Sequence, residues 1–192
     1  MNVKYENAFE HISKLIDGYS GKFPLIIAFD GRSASGKSSL AERFERELNI
    51  PVIHTDDFFR PRNKHGELEI SEFDGNFDVF RFKSEIVDQL RNGMNLRYGV
   101  FDCKLGKISR YNEIAVSNYC IIEGAYSLNP NLSEYVGCKI FFDIERDAQR
   151  RRILNRNGAR QLENFEKIWL PAEERYLEHY KIKERCDIIV NA

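Results

Sequence analysis

Residues 31–38, with the sequence GRSASGKS, constrain the fold of this chain more than any other feature. They match the pattern G-x-x-x-x-G-K-[ST] at every fixed position, and they lie between an apolar run at residues 25–29 and a helical pattern at residues 37–48. In such a strand–loop–helix unit, the backbone N–H groups of the loop and the N-terminus of the helix surround an anion. The segment therefore predicts a phosphate-binding loop within an α/β fold.

The residue types of this loop also predict what it binds. The Lys37 ammonium would contact the β- and γ-phosphates of ATP, and the Ser38 hydroxyl is a hard oxygen ligand of the kind that Mg²⁺ prefers. We therefore predict ATP as co-substrate and Mg²⁺ as the metal ion. The predicted ATP-binding residues are Gly31, Ser33, Ala34, Ser35, Gly36, Lys37, Ser38 and Ser39.

Short apolar runs alternate with helical patterns along the rest of the chain. The further apolar runs are residues 51–54, 119–122, 139–142 and 188–190, and the further helical patterns are residues 82–92, 146–155 and 164–180. Wholly apolar runs are typical of parallel strands that are covered on both faces. The alternation predicts a three-layer α/β P-loop fold with a mainly parallel central sheet and helices on both faces.

Three intervals depart from this alternation. Residues 95–116 carry spaced apolar side chains on either side of Gly106, which predicts an inserted β-hairpin. Residues 60–75 are polar and contain Pro61, and they predict a mobile loop. Residues 1–22 place apolar side chains at helical spacing and predict an amphipathic helix that packs on the body. We expect all 192 residues to form a single domain.

Composition and charge limit the partners. The net charge is −1, and binding to a phosphate backbone needs a basic surface, so nucleic acid is not expected as a partner. The N-terminal residues carry charges throughout, which predicts neither a signal peptide nor a membrane span. The four cysteines lack metal-binding spacing and are predicted to be reduced thiols of a cytoplasmic protein. A homo-oligomer remains an open alternative.

Acidic residues follow two of the predicted strands. Asp56 and Asp57 come after the second apolar run, and Glu123 and Gly124 come after the third. The carboxyl ends of parallel strands form the crevice in which ligands bind, and a carboxylate there can accept the proton of an attacking hydroxyl or help to hold Mg²⁺. We predict Asp56 as general base and metal-associated acid, and Glu123 as a second metal-associated acid. The alternative for Asp56 and Asp57 is a helix N-cap or a solvated turn.

A basic stretch follows the fourth apolar run. Arginine side chains can stabilise the negative charge that spreads over the equatorial oxygens during phosphoryl transfer. We predict that residues 150–162 form a short lid in which Arg156 and Arg160 close over the γ-phosphate. Arg146 and Arg151 are interpreted as part of a solvated helix face.

Taken in order, these motifs resemble those of the uridine kinase family of P-loop kinases, over almost the whole chain after the N-terminal helix. The family's D-S-F-Y segment is similar to residues 56–59, its N-F-D segment to residues 76–78, and its E-G pair to residues 123–124. Its hairpin segment P-V-Y-D-F loosely matches residues 96–102. The resemblance implies an ATP-dependent kinase that converts a nucleoside, uridine or cytidine, into its 5′-monophosphate.

The resemblance also implies roles for residues that contact the acceptor. Phe59 stands where the family has a tyrosine, Tyr98 would stack on the base, and Gly124 would let the backbone approach the substrate. Asp78 would hold the ribose hydroxyls, and Asp74 is a competing alignment for that role.

Two alternatives to a nucleoside kinase remain. The first is a kinase for another small acceptor, namely pantothenate, a sugar or a sugar phosphate. A sugar phosphate would need extra basic residues, which could be Arg60, Arg62, Arg81 and Arg97. The second is a regulatory module that binds ATP without transferring phosphate. Such a module would need no general base.

Overall fold

The computed structural model describes residues 1–21, 24–92, 95–116, 118–132 and 135–192. Its strands are β1 (Asn2–Lys4), β2 (Leu25–Gly31), β3 (Val52–His54), β4 (Asn95–Asp102), β5 (Lys107–Ala115), β6 (Tyr119–Glu123), β7 (Cys138–Asp143) and β8 (Ile188–Asn191). Six of them form one parallel sheet in the order β1-β8-β7-β2-β6-β3. The predicted parallel sheet is thereby confirmed, and each of the five apolar runs is one of its strands.

Helices connect these strands. They are α1 (Tyr5–Asp17), α2 (Lys37–Leu48), α3 (Val79–Phe82), α4 (Asp88–Asn92), α5 (Arg146–Asn157), α6 (Ala159–Asn164) and α7 (Leu170–His179). Two π-helical turns, Lys83–Val87 and Phe165–Trp169, join α3 to α4 and α6 to α7, and 3₁₀ turns cover Thr55–Phe58 and Lys183–Arg185.

The sheet is covered on both faces, as the apolar strands require. All seven residues of β2 are buried, and alternate residues of a strand point to opposite faces. Phe29 packs in one core cluster with Ile12 of α1 and Phe44 of α2. Ala28 packs in the other with Phe82 of α3 and Tyr176 of α7. The two clusters therefore give the three layers that the sequence predicts.

The inserted hairpin is also confirmed. Strands β4 and β5 pair antiparallel, with a register shift between Val100 and Phe101, and they form a two-stranded sheet of their own. Alternate β4 residues, among them Leu96 and Tyr98, enter the same core cluster as α3 and α7.

The N-terminus differs from its prediction as a helix over residues 1–22. The helix is confined to α1, and residues 2–4 form strand β1, which pairs with β8 at the edge of the sheet. Residue 22 lies outside the described residues. Three residues are too few to give a recognisable strand pattern, and only pairing with β8 makes them a strand. Within the described ranges, no helix combines the length and the apolar character that a membrane crossing requires.

Candidate active site

The phosphate-binding loop joins the carboxyl end of β2 to the N-terminus of α2. Its backbone has positive φ angles at Gly31 (120°), Ala34 (61°) and Gly36 (98°). Glycine is required at position 31, because a Cβ there would lie 2.2 Å from the carbonyl oxygen of Phe142 in β7. Helix α2 begins directly after Gly36, and the free N–H groups and the dipole at its N-terminus favour an anion.

Lys37 lies buried in the first turn of α2. Its Nζ donates hydrogen bonds to the carbonyl oxygens of Gly31 and Arg32, both at 2.8 Å. A bound phosphate would compete with these two carbonyl groups for the ammonium. The next two predicted ATP-binding residues, Ser38 and Ser39, are exposed on the same turn.

The middle of the loop differs in part from the prediction. Ser33 donates from both its N–H and its Oγ to Oε2 of Glu173, at 2.8 and 2.5 Å, so both of its donors are bound to protein rather than facing a phosphate. The carbonyl oxygen of Ala34 accepts a hydrogen bond from Arg152 at 3.2 Å. Ser35 is buried, and within the described part of the chain its hydroxyl has no hydrogen-bond partner. The groups that remain available to bind a phosphate are therefore in the part of the loop that follows Ser33.

Two of the three predicted metal-associated residues are in direct contact. Oγ of Ser38 donates to Oε2 of Glu123 at 3.1 Å, and Oε1 of Glu123 lies 2.6 Å from Nδ1 of His54. This hydrogen bond raises the pKa of His54. A hydroxyl and a carboxylate brought together fit Mg²⁺, which takes one or two protein oxygens beside phosphate and water. Among the described residues, no group of three or more His, Cys, Asp and Glu side chains forms a metal site by itself.

Asp56 lies in the 3₁₀ turn Thr55–Phe58, which directly follows β3. Asp56 is an exposed residue, although its carboxyl group is partly desolvated by the protein around it. This desolvation raises the pKa of Asp56 to about 6, repulsion from Glu123 adds to the increase, and the positive charge of Lys37 opposes it. A carboxyl group of this pKa is ionised at neutral pH and basic enough to accept a proton from a hydroxyl.

An aromatic pair includes a residue that closely follows Asp56 in the sequence. The ring of Phe59, three residues after Asp56, is parallel to the indole of Trp169, with 6.5 Å between ring centroids and 6° between the planes. Both side chains are half-buried. Phe59 is therefore a partly exposed aromatic residue close in sequence to the predicted base, and its contact with an acceptor stays a prediction.

Tyr98 does not lie where its predicted role needs it. Its side chain is 1% exposed, its ring stacks on Phe58 at 5.3 Å between centroids, and its hydroxyl accepts a hydrogen bond from Asn112 at 3.2 Å. This burial raises the pKa of Tyr98 to about 12. The pleat of β4 turns this residue into the core, so the prediction that its ring stacks on an acceptor is corrected.

The other predicted acceptor residues have structural contacts. Oδ1 of Asp78 caps α3 by accepting from the N–H of Arg81 at 3.0 Å, and Oδ1 of Asp74 accepts from Asn129 at 2.6 Å. The structure therefore gives no preference for one of these two carboxylates as an acceptor ligand.

Gly124 allows a close approach within the protein. It has a φ of 126°, and a Cβ there would lie 2.0 Å from Oγ1 of Thr55. The side chain of Thr55 and the positive φ therefore account for glycine at this position, and the approach of a substrate to Gly124 stays a prediction.

The predicted lid is two helices separated by Gly158, which has a φ of 81°. Arg156 near the end of α5 donates to the side chain of Asn157 at 2.8 Å, and both Arg156 and Arg160 are exposed. Arg152, one turn earlier on α5, makes the contact from this region to the phosphate-binding loop.

Several residues at the loop were missed by sequence reasoning. Arg152 could have been found, since it lies on the same helical face as Arg156. Glu173 had no local signal, because its contact joins residues 140 positions apart. The hydroxyl of Tyr5 donates to the carbonyl oxygen of Gly36 at 3.1 Å, which the amphipathic pattern of α1 alone could not predict.

Known proteins resemble this chain in sequence and in fold. No family model matches the chain. It is 25% identical over 183 residues to uridine-cytidine kinase A of Dictyostelium discoideum, an alignment that covers 88% of this chain and 36% of that protein. A possible uridine kinase from Bacillus stearothermophilus superposes with a TM-score of 0.71 at 20% identity, over 96% of this chain and 98% of the other. The resemblance to the uridine kinase family of P-loop kinases is confirmed.

A second solved structure matches the fold equally well. A proposed fructose transport system kinase from Silicibacter sp. TM1040 superposes with a TM-score of 0.72 at 18% identity, over 97% of this chain and 98% of the other. The chain also spans only about a third of the length of its Dictyostelium relative. These similarities support the P-loop kinase fold and leave the acceptor to be proposed.

Proposed function

We propose that this protein is an ATP- and Mg²⁺-dependent kinase that phosphorylates a hydroxyl group of a small molecule, with uridine or cytidine as the first candidate acceptor. The observation that carries the proposal is the position of Asp56. This carboxylate, with a pKa of about 6, follows β3, and its charge interacts with those of Lys37 and Glu123. A module that only binds ATP has no need of such a base.

The phosphate side of the proposed site uses the loop and the two residues that fit the metal. The N–H groups at the start of α2 and the Lys37 ammonium bind the β- and γ-phosphates of ATP. Ser38 and Glu123 hold Mg²⁺, with Asp56 near them. When bound, this ion offsets the negative charge of the phosphates.

The proposed transfer step is a single displacement. Asp56 accepts the proton of the acceptor hydroxyl while the hydroxyl oxygen forms a bond to the γ-phosphorus. The bond between that phosphorus and the β,γ-bridging oxygen breaks, and ADP leaves with the electron pair. Because the side chain of Asp56 reaches solvent, the proton can pass to water after the product leaves.

Arginines of the lid complete the proposed phosphate site. Arg152 already donates to the carbonyl oxygen of Ala34. We propose that Arg156 and Arg160, which are exposed, approach the γ-phosphate when the lid closes and help to exclude water.

Three observations support a nucleoside as the acceptor. The sequence relative is a uridine-cytidine kinase. The parallel rings of Phe59 and Trp169 supply aromatic surface that suits a planar base. Of the arginines that a sugar phosphate would need, Arg62, Arg81 and Arg97 are already bound to carbonyl or carboxylate oxygens. In this proposal either Asp78 or Asp74 holds the hydroxyls of the acceptor.

A sugar is the second candidate acceptor. It is favoured by the similarity to the proposed fructose transport system kinase, whose fold matches this chain as well as that of the possible uridine kinase does. Both candidates use the same phosphate side of the site. We further propose a cytoplasmic location, because the four cysteines are unpaired thiols, as a reducing compartment favours.

The test is ATP consumption with Mg²⁺ against a panel of acceptors: uridine, cytidine, other nucleosides, pantothenate, ribulose 5-phosphate and simple sugars. We expect uridine or cytidine to stimulate consumption and to yield the 5′-monophosphate. Stimulation by a sugar alone would replace the acceptor and keep the kinase. Binding of ATP with no stimulation by any compound would support the regulatory alternative.

A further inference from the structure

Helix α7 forms hydrogen bonds to residues 30–33, which are the end of β2 and the start of the phosphate-binding loop. Its residues Glu173, Glu174 and Tyr176 each bond to this segment. Tyr176 donates its hydroxyl proton to Oδ2 of Asp30 at 2.6 Å, and Nε of Arg32 donates to Oε1 of Glu174 at 2.7 Å. Side chains from one helix turn therefore hold consecutive parts of the segment through which β2 enters the loop.

Glu173 is the buried carboxylate among these three residues. Its side chain is 3% exposed, and its Oε2 accepts from both the N–H and the hydroxyl of Ser33. Gln149 of α5 donates from Nε2 to Oε1 of Glu173 and to the carbonyl oxygen of Ser33, both at 3.1 Å. Every polar group of Ser33 thus bonds to the pair Glu173–Gln149, which fixes the loop at this residue.

Burying an ionised carboxylate at this position costs free energy, because the charge loses its contact with water. Burial raises the pKa of Glu173, and the nearby charge of Lys37 and the hydrogen bonds from Ser33 oppose this increase. A negative charge beside a phosphate site would also repel the phosphates. Glu173 is therefore better explained by the loop conformation that it holds than by direct contact with a nucleotide.

We infer that Glu173 is a positioning residue that preorganises the phosphate-binding loop for nucleotide, acting through Ser33. The inference rests on the proposed function, because it assumes that the loop binds ATP. Fixing residues 30–33 leaves the N–H groups from residue 34 onward in place before a phosphate arrives, so that binding does not have to order the loop. Because Gln149 and Glu173 lie on α5 and α7, on either side of the proposed lid, the same contacts connect the lid to the loop.

The test is the affinity of the full chain for Mg–ADP, measured by titration calorimetry without any acceptor, together with thermal unfolding. We expect Glu173→Ala to weaken binding about tenfold or more, since two hydrogen bonds to a charged group are lost. Glu173→Gln keeps an oxygen that can accept from Ser33 but turns an NH2 group toward the donor Nε2 of Gln149, so it should recover part of the affinity. Glu178→Ala, at an exposed position of the same helix, serves as the control and should bind as the wild type does.

Two results would overturn the inference. One is a Glu173→Ala protein that unfolds at lower temperature but binds Mg–ADP like the wild type, which would make the residue structural only. The other is a Glu173→Gln protein that binds no better than Glu173→Ala, which would contradict the hydrogen-bond account. Wild-type protein that failed to bind Mg–ADP at all would instead contradict the proposed function, and the inference with it.

Discussion

The phosphate-binding loop and the proposed acceptor side, which comprises the turn Thr55–Phe58, Phe59 and the hairpin β4–β5, are built in different ways. The loop uses backbone geometry, with glycine at positions where a side chain would collide with β7 or α1. The acceptor side uses side chains whose direction depends on how the hairpin packs. A backbone site can be encoded in a few consecutive residues, whereas a side-chain site depends on contacts between distant segments.

This difference predicts that changes on the proposed acceptor side would leave the strand–loop–helix unit intact. Substitutions on the two sides should therefore have separable effects.

The largest expected effect is on the phosphate side. Replacing Lys37 by Ala removes the ammonium that would bind the β- and γ-phosphates, and we expect kcat/KM to fall about 100- to 1,000-fold for every acceptor that the enzyme accepts. Steady-state kinetics with two acceptors checks this. Lys14→Ala, on the exposed face of α1, is the control and should be unchanged. A fall in kcat/KM with one acceptor and not the other would contradict the separation of the phosphate side from the acceptor side.

The next effect separates two arginines of the proposed lid. Arg152 contacts the loop, so Arg152→Ala should lower kcat/KM about 10- to 100-fold through loss of a charged hydrogen-bond donor. Arg160→Ala should lower kcat with little change in the Kd for Mg–ADP, because Arg160 is proposed to act only when the lid closes. Equal losses of Mg–ADP affinity in the two variants would contradict these separate roles.

The pH dependence of kcat/KM should follow the titration of Asp56 on the proposed acceptor side. Asp56 must be unprotonated to accept a proton, and its pKa is raised to about 6. We therefore expect kcat/KM to be constant above this pH and to fall about tenfold for each pH unit below it. The same profile measured with His54→Gln identifies the group. A fall in activity that disappears in that variant would assign the titration to the imidazole.

The smallest effects should distinguish Phe59 from Tyr98. Phe59→Ala removes half-buried aromatic surface and should raise the KM for the acceptor about tenfold, with the Kd for Mg–ADP unchanged. Tyr98→Phe removes only a buried hydroxyl that accepts from Asn112, and should lower the free energy of unfolding by about 1 kcal/mol without changing KM. A raised KM in Tyr98→Phe would return this residue to the acceptor site.

The same contrast describes what the sequence could predict. The parallel sheet, the hairpin and the phosphate-binding loop were predicted because each depends on a local pattern: apolar runs, alternation and the spacing of Gly31, Gly36 and Lys37. The burial of Tyr98 could not be predicted, because a two-residue period does not say which face of an inserted hairpin meets the core. The role of Glu173 could not be predicted either, since it depends on α7 docking against a loop 140 residues earlier.

The most direct test of the proposed kinase mechanism is Asp56→Asn, measured in two ways on the same preparation. We expect Mg–ATP to bind within about twofold of the wild type, and phosphate transfer to the best acceptor of the panel to fall at least about 100-fold, because the amide cannot accept the hydroxyl proton. Transfer at the wild-type rate with this variant would contradict the assignment of Asp56 as the base.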